Sequence, residues 1–347
     1  MSSKKQDILD CARDRLKAAV AGMGGEPYRA KQVSLWIYKK GATAFDVMSN
    51  LPPALREKLS AKFYIGRPRA LKKNSSDIDG TIKYLFGLRS SNTVETAYIP
   101  EKGRATVCVS SQVGCKYGCG FCASAQSGFV RDLSASEMLS QVLYLRFDEK
   151  LPVTNIVFMG IGEPFDNYEN VICCIRTLND PDLFGLGARK ITVSTCGIIP
   201  QIRRFSQEGF QVELSVSLHS ADDAARSRIA PVNKIYPLKK LMAACRDYTE
   251  KTNRVITFEY VLIRGVNASA KDAQMLCRLL KGMKCKVNLI ALNRISPSDL
   301  EAPDRKEAGR FLDSLTEKGI NTTLRKSRGG DIDAGCGQLR VLAGRDR

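Results

Sequence analysis

Beyond residue 100 the apolar positions fall into short, β-branched, near-continuous runs separated by longer amphipathic stretches. Six runs stand out: A-T-V-C-V-S-S (105–111), N-I-V-F-M-G (155–160), K-I-T-V-S-T (190–195), V-E-L-S-V-S-L (212–218), V-I-T-F-E-Y-V-L-I (255–263) and K-V-N-L-I-A-L (286–292). Runs of this kind are what strands buried on both faces of a parallel sheet require. The stretches between them have helical periodicity, and the one over 135–146 opens with a capping box, Ser134 and Glu137. Six strand-then-helix units predict an α/β fold, a partial (β/α)6 TIM-like barrel.

The first 75 residues follow a different pattern. Apolar spacing predicts helices over 5–21, 28–40 and 52–63, with Gly and Pro breaks at 22–27, 41 and 52–53. Leu35, Trp36 and Ile37 are expected to divide between core and surface. A turn cluster, N-S-S-D-I-D-G at 74–80, then leads into the strand-like T-I-K-Y-L-F-G-L and T-V-E-T-A-Y-I-P. These shifts divide the chain into a helical accessory domain (1–75), a β-rich linker (76–100), a core (101–335) and a C-terminal segment (336–347).

Charge sharpens that division. The net charge is +18 over 347 residues, and residues 1–75 carry 16 Lys/Arg against 6 Asp/Glu. A basic lobe is the electrostatic footprint of phosphate contact, with simple solubility charge as the plainer alternative. The 44% hydrophobic content supplies a sizeable core. No stretch suits a bilayer, and M-S-S-K-K-Q-D-I-L-D lacks the apolar region of an export signal, so the expectation is a cytoplasmic protein without a membrane partner. The twelve cysteines are then expected to be reduced, metal-bound or catalytic. With His219 as the single histidine, a histidine-based triad or metal site has little to draw on.

Cys115, Cys119 and Cys122 form a C-x3-C-x2-C run. Three thiolates on one loop can hold three irons of a [4Fe–4S] cube, whose usual complement is four cysteines, and an open metal position is what makes a site catalytic. A zinc knuckle with Cys108 as fourth ligand is the bland alternative. C-x3-C is unusual for it, and no second Cys or His pair follows at short distance. With Phe121 before the last cysteine, the run resembles the signature of radical S-adenosylmethionine (SAM) enzymes.

Barrel active sites sit at the C-terminal ends of the strands. Those ends carry Gly162 and Glu163, then Ser194, then Ser217, Leu218 and His219, then Asn293. A cofactor with an ammonium, a carboxylate, a ribose and an adenine needs such a mixture: Glu163 can accept from the ammonium, Ser and Asn can bond hydroxyls or the carboxylate, and glycines allow close backbone approach. His219 alone reads as structural about as readily as ligand-binding. Cys173, Cys174, Cys245, Cys277 and Cys285 sit in apolar contexts and read as small core residues. Cys336, between Gly335 and Gly337, instead reads as a thiol on a pliable loop.

Taken together, C-V-S-S-Q-V-G-C-K-Y-G-C-G-F-C, G-I-G-E-P, S-L-H, L-I-A-L-N and D-I-D-A-G-C-G-Q-L resemble the RlmN/Cfr family of adenine-methylating RNA enzymes, on its C2 branch. The likeness runs from about Tyr28 to Leu339, with Ile161, Arg294 and Gly335 as small departures. It implies that one SAM methylates Cys336 and a second is cleaved to a radical, giving an RNA–protein adduct. It implies further that Cys108 resolves this adduct through a transient disulfide and that Glu95 accepts the proton. On sequence alone Glu95 is a charged residue at a strand edge. The implied substrates are 23S ribosomal RNA, at an adenine of the peptidyl-transferase loop, and tRNA, at the adenine beside the anticodon. A flavodoxin or ferredoxin is the expected reductant, and the chain is expected to be a monomer. Three alternatives stay open: methylation at C8 by the sister branch, a radical enzyme acting on another base, and a non-catalytic metal-stabilised RNA-binding protein.

Overall fold

The structure, a computed structural model, describes residues 5–11, 13–126, 128–292, 299–325 and 328–332. Ten strands build one sheet whose order follows the chain: β1 (Arg69–Ser75), β2 (Ile82–Gly87), β3 (Thr93–Glu101), β4 (Arg104–Cys108), β5 (Asn155–Phe158), β6 (Ile191–Thr195), β7 (Glu213–Ser217), β8 (Ile256–Leu262), β9 (Cys285–Ala291) and β10 (Asn321–Arg325). The first three joints are antiparallel. Every joint from β4 to β10 is parallel. Since β1 and β10 are the two ends of this order, the barrel is open.

Strands β4 to β9 are the six apolar runs, shifted by a few residues. Two strands carried no such signal. β10, N-T-T-L-R, alternates exposed and half-buried positions with one large apolar residue. β1, R-A-L-K-K-N-S, is exposed along nearly its whole length, as a charged edge strand can be. Helices follow the parallel strands and seal the sheet, among them Ala135–Leu143, Tyr168–Asn179, Asp223–Ile229, Leu238–Thr252, Ala270–Leu280 and Arg305–Glu317.

The N-terminal helices span Arg13–Gly22, Arg29–Tyr38 and Pro53–Lys62. The first is shorter than the apolar spacing predicts, because Gln6 and Asp7 pair with Phe63 and Tyr64 in a small ribbon and Ile8–Asp10 form a capped turn. This lobe shares one buried core with the sheet: Ile8, Val33, Ile37, Met48 and Leu59 are continuous with Val107, Ile156 and Phe158. The division at residue 75 falls in the turn of the β1–β2 hairpin, and residues 76–100 are sheet rather than linker. No helix among the described residues is long and apolar enough to cross a membrane.

Candidate active site

A cavity of about 290 Å³ opens where the parallel strands end, walled by the cluster loop on one side and by β5 to β10 on the other. The loop leaves a ribbon in which Gln112–Gly114 pair with Phe129–Asp132. Gly114, at φ 82°, is required there: a Cβ would stand 1.7 Å from the Gly128 carbonyl oxygen. Cys115 N donates to that same carbonyl at 3.0 Å, and Cys122 N donates to Cys119 O at 3.1 Å. Cys115, Cys119 and Cys122 are half-buried free thiols, and all three face the cavity.

Burial pushes the Cys115 thiol up to about 12 and the Cys119 thiol higher still, and each thiolate opposes its neighbours. Without a cation these thiols keep their protons; a bound cation inverts that balance. Among the described residues no three ligating side chains converge as they would on a single ion. Three thiols on one cavity wall can each bind their own iron, as the thiolates of an iron–sulfur cube do.

After β5 the chain turns through Gly162 at φ 104°, where a Cβ would come within 2.5 Å of Gln112 Cβ. Gln112 then accepts from Glu163 N at 2.8 Å. The Glu163 carboxylate is buried and bridges two loops, accepting from Phe165 N at 2.9 Å and Cys196 N at 2.7 Å. Burial raises its pKa and these amides pull it back. Ser194 and Thr195 end β6, Cys196 comes directly after it, and Ser217 ends β7. Leu218 lies in the core, contributing backbone rather than wall: its N donates to Glu259 O at 3.0 Å.

His219 is 3% exposed, and its Nδ1 accepts from Val261 N at 3.1 Å. The proton therefore sits on Nε2, which has no partner among the described residues. Burial, then the Arg226 charge, pushes its pKa down to about 3, so the ring is a neutral donor on the cavity wall. Phe121 meets that ring edge-on, centroids 4.3 Å apart, which ties the cluster loop to the end of β7.

Cys108 closes β4 opposite Ala97 of β3. Burial raises its thiol to about 11, while the Met159 amide, Lys83 and Arg325 draw it down. Glu95 is not at a strand edge. It lies on β3, between β2 and β4, is 4% exposed, and pairs with the equally buried Lys83 at 2.8 Å. It shares a face with Ala97, the cross-strand neighbour of Cys108. Asn293 and Cys336 lie outside the described residues.

Several wall residues escaped sequence reasoning. Glu259 on β8 is buried; Asn288 donates to its Oε1 at 3.0 Å, and Arg325 Nη1 stands 3.8 Å from Oε2. Its signal was a lone carboxylate inside V-I-T-F-E-Y-V-L-I. Arg325, on the unforeseen β10, had none, and Cys196 was hidden in a turn sequence. A larger cavity of about 680 Å³ lies by Cys277, Lys281 and Lys318, where β9 and β10 begin, and holds none of the expected site residues. The smaller one, at the strand ends, is therefore the candidate active site.

The radical SAM superfamily matches residues 109–276, and the ribosomal RNA large subunit methyltransferase N-terminal domain matches residues 6–65. A probable dual-specificity RNA methyltransferase RlmN of Pelotomaculum thermopropionicum is 45% identical over 335 residues, 96% of this chain and 91% of the relative. Its counterpart in Clostridioides difficile is 43% identical over 340 residues, 98% of this chain and 99% of the relative. The crystal structure of a radical SAM methyltransferase from Sphaerobacter thermophilus superposes with a TM-score of 0.91 at 42% identity, covering 96% of this chain and 98% of that one. The chain belongs to the RlmN family of radical SAM RNA methyltransferases, a superfamily that implies a [4Fe–4S] cluster and SAM.

Proposed function

We propose that the protein methylates C2 of adenine in 23S ribosomal RNA and in tRNA, through a methyl group carried on Cys336. The observation that carries this reading is a juxtaposition: three cluster-type thiols, Glu163, Ser194, Ser217 and His219 open on one cavity, and Cys108 ends the strand that feeds the same loop. In this reading Cys115, Cys119 and Cys122 hold the cluster. Glu163 receives the SAM ammonium, which offsets the burial that raises its pKa. Ser194, Ser217 and Asn293 bond the ribose and carboxylate, and His219 Nε2–H donates to an acceptor on the cofactor. Bound there, the cluster and SAM supply the methyl group and the radical that activates it.

The chain's own groups handle the rest. C2 of adenine lies between two ring nitrogens and is no nucleophile, whereas the Cys336 thiolate is one and accepts the methyl. Once its carbon is joined to C2, the C2 proton leaves to Glu95, and the odd electron left by the radical would pass to the cluster that Cys115, Cys119 and Cys122 hold. Cys108 then attacks the Cys336 sulfur: an S–S bond forms, the S–C bond breaks, and the released electron pair takes a proton to complete the new methyl. Lys83 and Arg325 favour the Cys108 thiolate that this attack needs. A one-electron donor of the flavodoxin or ferredoxin class serves the cluster, and the chain works as a monomer.

Anaerobic reconstitution with iron and sulfide, then mass spectrometry of protein and RNA, tests the assignment. About four irons per chain are expected, with 2-methyladenine in the digested RNA. Cys108→Ala should carry covalently attached RNA that survives denaturation and is lost to nuclease; Cys336→Ala should carry none. A colourless protein with one tight zinc, an 8-methyladenine product, or full turnover in Cys108→Ala would each reject the reading it bears on.

A further inference from the structure

The reaction above leaves a buried cation without a task. Arg226, on the short helix Asp223–Ile229, is 0% exposed. Its Nε donates to Leu218 O at 3.0 Å, Nη1 to Asn233 Oδ1 at 2.7 Å, and Nη2 to Cys196 O at 2.8 Å and Ser217 O at 3.0 Å. All four acceptors are neutral, and among the described residues no carboxylate pairs with the guanidinium. Asp223 is one step removed, accepting at 3.0 Å from the far side of the Asn233 amide. Burying a cation this way is costly, and three carbonyls could be satisfied more cheaply by neutral donors or water.

Its position gives the charge a use. The helix that carries Arg226 is stitched to the cysteine loop, Gly120 N donating to Ile229 O at 3.0 Å. The loops that Arg226 clamps, after β6 and β7, form the wall facing that loop. Cys196 and Ser217, whose carbonyls the guanidinium holds, line the same cavity as Cys115, Cys119 and Cys122. Three other charged features lie near, of which Glu259 and Arg325 face each other at 3.8 Å across the cavity wall. Glu163 carries the opposite charge on the same cavity wall, accepting from Cys196 N at 2.7 Å. Lys116 and Asp166 pair with each other at 2.7 Å toward solvent, so they cancel and are screened.

We propose that Arg226 sets the reduction potential of the iron–sulfur cluster held by Cys115, Cys119 and Cys122. This rests on the cluster reading above. Reduction adds one negative charge to a site already burdened by three thiolates and the nearby Glu163. A fixed, water-excluded cation beside the loop favours that electron, and does so more strongly than an exposed one could. Cluster potentials respond to net charge and local hydrogen bonding, and Arg226 supplies charge without donating to the cluster's own loop.

The test is a redox titration of the full-length, anaerobically reconstituted protein without SAM, followed by electron paramagnetic resonance, with iron content measured on every sample. Arg226→Lys keeps the charge but loses part of the carbonyl clamp, and its potential should stay near that of the parent. Arg226→Met removes the charge, and the reduction equilibrium should fall at least tenfold, 59 mV for one electron. Asn233→Asp leaves the arginine in place but sets a carboxylate against it, and should shift the equilibrium the same way. Should Arg226→Met not assemble, Asn233→Asp decides. Full iron content with an unchanged potential in either charge-cancelling variant would overturn the proposal. So would a drop in Arg226→Lys as large as in Arg226→Met, or loss of the cluster from both Arg226→Met and Asn233→Asp, since either result assigns Arg226 to holding the loop. A parent protein that takes up no iron would instead refute the cluster reading itself.

Discussion

His219 holds φ at 58°, a left-handed conformation uncommon for a residue with a ring, and pays its way through a single tautomer locked by Val261 N. The lock has a pH consequence. The unfolded chain takes up a proton near the ordinary histidine value of 6.5, while the folded ring resists until about 3. This contribution to stability is fully present above 6.5 and is lost as the pH falls toward 3, at roughly 1.4 kcal/mol per unit. Urea midpoints at pH 7.5 and 5.5 should therefore move further apart in the parent than in His219→Asn, which tolerates the same backbone and can still accept from Val261 N. Equal shifts in the two proteins would remove His219 as the source. Reading strand ends located Gly162, Glu163, Ser194, Ser217 and His219, because a barrel fixes where such residues point. It missed Arg226, since A-D-D-A-A-R-S-R looks like a solvated helix face until the chain folds over it. Glu95 was misplaced for a related reason: nothing local reveals that its strand gains a neighbour on each side and that Lys83 of β2 pairs with it.

The helix Ala135–Leu143 shows how elements of the two lobes depend on each other. Its capping box is complete: Ser134 Oγ accepts from Glu137 N at 3.2 Å, and Glu137 Oε2 accepts from Ser134 N at 3.0 Å. That much was legible in S-A-S-E. The next free amide, Ser136 N, is taken by Asp10 Oδ1 at 2.7 Å, while Asp10 Oδ2 accepts from Ser136 Oγ at 2.9 Å. A carboxylate from the N-terminal lobe thus finishes the cap of a core helix and sits favourably at its positive end. Asp10→Ala should cost about 1 kcal/mol in denaturant unfolding, the usual worth of a cap, and should loosen protease protection of residues 5–22 at the same time. Destabilisation without any change near the N-terminus would show that the two lobes are not coupled there. Strands divide along the same line between local and remote signals. Those buried on both faces announce themselves as apolar runs, whereas β1 and β10, at the ends of the sheet, form only because a neighbour offers them a ladder.

At the scale of the whole molecule, charge and core argue for different experiments. Truncation at residue 75 looks natural from composition, yet it would strip β1 from the sheet and expose the face against which Ile8, Val33, Ile37 and Leu59 pack. Loss of RNA binding in such a fragment would say nothing about phosphate contact. Nor is every charge of the lobe available to RNA. Arg13 and Lys31 are held by Asp182 at 2.7 and 2.9 Å, and Lys39 Nζ donates to Phe184 O at 3.1 Å, so these tie the lobe to the core. Lys40, Lys62 and Lys72 are exposed, the first two resting over the rings of Trp36 and Phe63. If the lobe grips backbone phosphates, Lys40→Gln, Lys62→Gln and Lys72→Gln combined should weaken RNA binding. The slope of log affinity against log salt should fall by about 2 to 3, since each lost phosphate contact removes roughly 0.7–0.9. Because these side chains bury little, the unfolding midpoint should hold, and the reconstituted variant should keep its iron. An unchanged salt slope with full folding would move the phosphate contacts off this lobe and leave its net charge to solubility.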